Sequence, residues 1–193
     1  FSSFLLQAQS SKAQVLALAN AGGDFTNAMK AAKEFGINKT MKIAGLLVFI
    51  NDVNSLGLAN TEGLQLADSW YWNQDDASRA FAKRFFEKYK RMPSSLQAAD
   101  YSVATTYLKA VQAAGTTDAD KVMATLKTMK ISDFYNKGQI RADGRMIHDM
   151  YLFQVKSAKD SITPWDYYKT VAKIPGEQAF TTVAESKCAL IKK

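Results

Sequence analysis

Cysteine and histidine each occur once in these 193 residues, as Cys188 and His148. One cysteine excludes a disulfide inside the chain and a multi-cysteine metal site, so Cys188 is an idle thiol or bridges to a cysteine elsewhere. One histidine, 40 positions from the lone thiol, leaves no convincing nucleophile–base pair. His148 itself leads into an extended run, where a surface or hydrogen-bonded imidazole is the expectation rather than a catalytic base. Scattered carboxylates around a single imidazole make no metal centre. No run approaches the ~18 apolar residues of a membrane span. There is no Gly-Lys-Ser/Thr phosphate loop, no glycine triplet of the dinucleotide fingerprint, no internal repeat and no low-complexity linker. No cofactor is expected.

The net charge of +7 is spread rather than clustered: Lys30, Lys33, Lys39, Lys42, Lys83, Lys88 and Lys109 fall at intervals, and Arg84, Lys88 and Arg91 share their stretch with Glu87. Such charges read as solvated helix faces, which argues against nucleic acid as a partner. With 47% hydrophobic residues the chain has material for a real core.

The most informative stretch is residues 14–33, QVLALANAGGDFTNAMKAAK. Val15 to Ala19 form the continuous apolar run of a strand buried on both faces. Gly22 and Gly23 make a turn, Asp24 stands where an N-cap is expected, and Phe25, Ala28, Met29 and Ala32 repeat at helical spacing up to Gly36. A strand, a glycine turn and a helix N-terminus in that order aim backbone N–H groups at whatever sits above the strand, as in α/β ligand sites; an ordinary connection without a ligand is the alternative.

A second apolar strand is expected over residues 41–49, MKIAGLLVF, and a partly alternating aromatic one over 64–72, LQLADSWYW. Asp75-Asp76 opens a helix carrying Phe81, Phe85, Phe86 and Tyr89, residues 96–114 form a longer helix ended by Gly115, and Asp118 and Asp120 open another over 121–129. Then the period becomes extended. Residues 139–141 and 150–155 read as strands separated by the Asp143-Gly144 turn, and 165–172 as a third.

In this order, FSSFLLQAQ, ALANAGGD, GLLVFINDV, SWYWN, RAFAKRFFEKYKRMPSSLQAADYS, YLKAVQAAG, IRADGRMIHDMYLFQVK, WDYYK and ESKCALIKK make the chain resemble the carboxyl-terminal portion of a type I periplasmic solute-binding protein, the branched-chain amino acid family that feeds ABC importers. The resemblance implies an α/β fold: a Rossmann-like, three-layer α/β/α lobe with a mostly parallel sheet, present as an incomplete second lobe. It implies that residues 1–66 belong to that lobe, 67–115 to helices of the first lobe, and 116–193 to the rest of the second. It also implies a chain that starts in mid-fold, with any signal peptide before Phe1 and a periplasmic or otherwise extracytoplasmic location.

Carried onto this sequence, the family's interlobe site would use Asn20, Ala21, Gly22, Gly23 and Asp24 after the first strand, and Val48 and Phe49, with Leu47, after the second. Trp72, with Trp70 and Tyr71, is a stacking candidate or a packing cluster. Asp24 is either a cap or a ligand group. The implied function is non-enzymatic binding of a small amino acid, amide or aromatic acid for uptake; a ligand-sensing receptor domain of the same fold is the alternative. Carboxylate chemistry by Asp24, Asp52 or Asp143 stays formally open. The implied partners are the solute, a membrane permease, and the missing amino-terminal lobe or a second copy of the chain. Apolar faces on 76–90 and 95–114 are expected to associate.

Overall fold

Short strands joined by helices make up the chain. The computed structural model describes residues 1–187 and 189; Cys188 lies outside them. In chain order the elements are α1 (Ser2–Ser10), β1 (Val15–Leu18), α2 (Gly22–Glu34), β2 (Lys42–Gly45), α3 (Ile50–Leu56), α4 (Leu58–Thr61), β3 (Gln65–Asp68), α5 (Asp76–Tyr89), α6 (Ser95–Ala114), α7 (Ala119–Thr128), β4 (Ile131–Ser132), β5 (Lys137–Gly138), β6 (Met150–Val155), β7 (Tyr168–Ile174) and α8 (Gly176–Ala179). They divide into two packing units, Phe1–Asp68 with Tyr151–Lys173, and Ser69–Met150 with Ile174–Lys193.

The first unit holds the five-stranded sheet, in the order β1-β2-β3-β6-β7. β1, β2 and β3 run parallel, and β6 joins antiparallel with Leu66 opposite Phe153. The register lines up Leu18, Gly45, Leu66 and Phe153 on one face, all buried. The neighbouring row, Ala17, Ala44, Gln65 and Gln154, is exposed or half-buried. The expected two-face burial of β1 is therefore corrected: β1 is an edge strand with a single neighbour, and Val15 keeps 50% of its surface. α2 packs Phe25, Ala28, Met29 and Ala32 inward, and burial of such a side chain contributes about 1.5–3 kcal/mol for the larger ones.

Three expectations shift in this unit. Strand β2 stops at Gly45 instead of Phe49, because Leu46 and Leu47 turn outward and Phe49 becomes the N-cap residue of α3. Asp24 is not the N-cap of α2: that position falls to Ala21, the chain turns helical at Gly22 with φ +56°, and Asp24 becomes the third helical residue. Residues 165–172 give way to β7, beginning at Tyr168, after a loop in which Lys156 Nζ contacts both oxygens of the buried Asp166 at 2.8 Å.

The second unit centres on Trp70, Phe81 and Ala98, with Trp72, Phe85, Phe134 and Tyr135 packed around them. Phe81 stacks on Phe134 at 4.1 Å between centroids, and the Trp70 indole N–H donates to Ser78 at 2.9 Å. Asp75 caps α5 by accepting from the Ser78 N–H at 2.7 Å, as the sequence predicts. The buried stripe of α6 is small and hydroxylated, Ser95, Ala98, Ser102, Thr106 and Ala110, while Val103 and Leu108 each stay 64% exposed.

Residues 116–150 group with α5 and α6, and α7 packs on α6, while Tyr151–Lys173 group with Phe1–Asp68. The Asp143-Gly144 hairpin is also smaller than expected. It closes on a single bridge, Ile140 to Met146, while β6 leaves to pair with β3, the stronger apolar partner.

Candidate functional site

The carboxyl ends of β1 and β2 lie side by side, tied by the Leu46 N–H to the Leu18 carbonyl at 3.1 Å. From β1 the chain leaves through Ala19 and Asn20, extends at Ala21 (φ −142°, ψ 167°) and enters α2. The first N–H to find a carbonyl four residues back is that of Phe25, on Ala21 at 3.4 Å. The amides of Gly22, Gly23 and Asp24 thus have no partner within the helix, as at any helix start. Ala21, Gly22, Gly23 and Asp24 are all exposed, and a Cβ placed on either glycine would meet nothing within 4 Å. The turn therefore presents bare backbone to open space at the positive end of a 13-residue helix.

Asn20 is half-buried, and its Oδ1 is shut off from solvent without a hydrogen-bond partner; Asn51 Oδ1, one residue into α3, is in the same condition. Asp24 makes no cap hydrogen bond, and its carboxylate stands exposed in the first turn. On the β2 side, Leu46 and Leu47 are 59% and 52% exposed. Val48 is buried in the core, where a Cβ on Gly45 would fall 2.3 Å from its Cγ2. Phe49 is half-buried, and its N–H donates to the Asp52 carboxylate at 2.9 Å, so Asp52 is occupied in starting α3.

The structure thus brings Asn20, Ala21, Gly22, Gly23, Asp24, Val48 and Phe49 onto two adjacent loops of one unit. Trp72 belongs to the other unit, half-buried beside Tyr71 at 5.7 Å between ring centroids. Leu47 was expected beside Val48 and Phe49; Asn51 and Leu46 were not. The apolar run GLLVF hides the point where the strand ends, and Asn51 reads from sequence as ordinary turn chemistry.

His148 donates from Nδ1 to the Asp149 carbonyl at 2.9 Å and packs edge-on against Phe180. Among the described residues no three His, Cys, Asp or Glu side chains gather to hold a metal ion. Away from the turn, Arg141 holds the Asp143 carboxyl down to about 2 through side-chain hydrogen bonds, Nε to Oδ1 at 2.8 Å among them.

The family model for periplasmic binding proteins matches residues 1–160. The chain belongs to that family. A periplasmic binding protein from Burkholderia mallei is 73% identical over 100% of this chain with a TM-score of 0.94, and a branched chain amino acid ABC transporter periplasmic ligand-binding protein from Burkholderia xenovorans LB400 is 48% identical over 98% with 0.89. The chain covers 51% of each. A solute binding protein of an ABC transporter from Rhodopseudomonas palustris BisB5, solved with 3,4-dihydroxy benzoic acid, shares the fold at 20% identity and a TM-score of 0.78, with 91% of this chain and 49% of that one covered. No curated protein matches the chain.

The chain spans about half the length of these solved relatives, and its mainly parallel sheet is that of a type I lobe. Among the described residues no helix is long and apolar enough to cross a membrane.

Proposed function

We propose that this chain forms part of the extracytoplasmic solute-binding component of an ABC importer, and that the β1–α2 and β2–α3 loops make one wall of its solute site. The observation that carries the reading is the pair of glycines facing open space at the start of α2, beside a second strand end exposing Leu46 and Leu47. Backbone N–H groups at a helix start suit a carboxylate or carbonyl oxygen, and the exposed Asp24 carboxylate suits a donor such as an ammonium or amide N–H. Leu46, Leu47 and Phe49 offer an apolar surface for the solute's body. Together they fit a small amino acid, amide or aromatic acid. The remainder of the site, and the permease that receives the solute, come from outside these 193 residues. No titratable pair competes for this surface, and that favours carriage of the solute over its conversion.

The test is a thermal-shift screen of the protein at its relatives' full length against branched-chain amino acids, their amides and aromatic carboxylates including 3,4-dihydroxybenzoate. A ligand at a hundred times its Kd stabilises by about 2.7 kcal/mol and raises the midpoint visibly. Gly23→Phe, which fills the open space above α2, is expected to abolish the shift while leaving the unliganded midpoint in place. A solute that still binds Gly23→Phe with full affinity would remove the turn from the site, and turnover of any bound solute would overturn the non-enzymatic reading.

A further inference from the structure

Between α5 and α6, wholly within the second packing unit, lies a hollow of about 340 Å³ walled by Phe81, Arg84, Phe85, Lys88, Tyr89 and Tyr101, with Gln97 beside them. The α5 members recur three and four residues apart, so rings and cations share one helix face. Phe81 is buried and anchors that face, whereas Phe85 is half-buried and Tyr89 and Tyr101 keep 53% and 45% of their surface. Aromatic carbon is therefore open to whatever enters.

The charge of the hollow has one sign. Arg84 and Lys88 are exposed, no carboxylate lines the walls, and among the described residues neither cation makes an ion pair. Each lies instead over a tyrosine ring, Arg84 Cζ 5.7 Å from the centre of Tyr101 and Lys88 Nζ 5.7 Å from that of Tyr89. Like charges one turn apart on a helix repel each other, and an anion between them relieves that cost. Gln97 leaves the place open, because its Oε1 is occupied by the Ser94 N–H and hydroxyl at 2.7 and 2.6 Å in the capping box of α6. Covering the hollow with protein would bury two cations without partners, which is costly, so this face suits a dissolved anion better than another apolar surface.

We propose that this hollow binds a small planar aromatic carboxylate, its ring among Phe85, Tyr89 and Tyr101 and its carboxylate between Arg84 and Lys88. The volume lies within the range of small-molecule sites. Aromatic rings prefer offset or edge-on contact at about 4.5–7 Å between centroids. The hollow's own rings already keep that spacing, Phe85 to Tyr89 at 4.6 Å and Phe81 to Tyr101 at 5.2 Å, so one more ring extends the cluster. The guanidinium fork matches a carboxylate with two hydrogen bonds, and the ammonium adds a second charge. The inference is independent of the solute reading, because none of its residues belongs to the loops after β1 and β2.

The experiment titrates naphthalene-2-carboxylate into the chain while backbone amide shifts are followed by nuclear magnetic resonance. Saturable shifts are expected at Phe85, Lys88 and Tyr101. Naphthalene-2-methanol, which lacks the charge, and cyclohexanecarboxylate, which lacks the aromatic ring, are each expected to bind about tenfold more weakly. Arg84→Gln together with Lys88→Gln, both exposed and so safe for folding, is expected to weaken binding about tenfold. Lys83→Gln together with Arg91→Gln removes the same charge from exposed positions off the walls and should leave the affinity unchanged. The proposal fails if naphthalene-2-carboxylate does not saturate, if either control compound binds as well, or if the two double variants lose affinity equally. Saturable shifts at Gly22 and Gly23 alone would place the anion on the solute loops and overturn this proposal without touching that reading. It also fails if the protein at its relatives' length no longer shows the shifts at Phe85, Lys88 and Tyr101, because the hollow is then covered by the rest of that protein.

Discussion

Gly22 and Gly23 are neighbours held by different demands. Gly22 sits at φ +56°, where an L side chain is strained, and Gly23 has ordinary backbone angles. A methyl group would meet nothing at either position. Gly22→Ala is thus expected to lower stability by about 1–2 kcal/mol through backbone strain alone, while Gly23→Ala leaves it unchanged. Chemical denaturation of the two variants checks this; equal losses would mean that the turn is not held in the left-handed region. Gly45 shows the opposite case, a glycine kept for space. Its added Cβ would lie 2.3 Å from Val48 Cγ2 and 3.3 Å from the Phe25 ring. Both neighbours are buried, so Gly45→Ala should cost about 1–3 kcal/mol by overpacking. Adding Val48→Ala makes the room, and the double variant is expected to lose less than the sum of the single ones in a double-mutant cycle.

Elements were legible where the local code is single-valued. Asp75 before an apolar helical repeat predicts the start of α5, and its carboxylate takes the Ser78 N–H; Asp75→Ala is expected to cost about 1 kcal/mol in a thermal melt. Gly36 and Gly115 end their helices in the left-handed conformation, as expected of glycines after the last apolar residue. The code blurs where apolar residues run past an element. Leu46 and Leu47 look like strand core, yet the register ends at Gly45 and they face out, so Leu46 was hidden inside a presumed strand while Leu47 was expected at its end.

Asp24 illustrates the same limit within the turn. Cap chemistry favours Asp at the position before the helix, but glycine can enter the helix two residues earlier, and backbone freedom at Gly22 decided the matter. Pairing choices depend on the whole sheet. Nothing local says that β6 prefers β3 over the 139–141 segment beside it in sequence, and so the hairpin was read too large. Besides its backbone bridge, the hairpin carries the Arg141–Asp143 ion pair. With the Asp143 carboxyl depressed to about 2 beneath an unfolded value near 4, the Arg141–Asp143 pair contributes stability fully above about pH 4 and loses it as the pH falls toward 2. Asp143→Asn is expected to flatten the stability profile in that window and leave it unaltered in slope above pH 5.

At the scale of the whole chain, the two units leave apolar surface open in different ways. The sheet shows Val15 half-exposed on the row opposite its buried face, and Phe1 with Phe4 and Leu6 of α1 keep 51%, 71% and 48% exposure. In the second unit α6 turns Leu108 outward at 64% and Leu96 at 52%. Scattered exposed apolar residues are ordinary on any protein, but several on one helix face form a patch that favours association. The chain spans 51% of the two Burkholderia relatives, which supports reading these faces as surfaces that another part of a longer protein, or a second copy, covers. The 193-residue chain by itself is therefore expected to associate as its concentration rises, with a weight-average mass in sedimentation equilibrium above that of one chain. Leu108→Lys lies on the outward face of α6, away from the buried Ser102 and Thr106, and should shift that equilibrium toward the monomer without changing the melting midpoint at high dilution. A mass that stays at one chain at every concentration would show that α6 needs no cover, and would withdraw the reading that another part of a longer protein, or a second copy, covers this face.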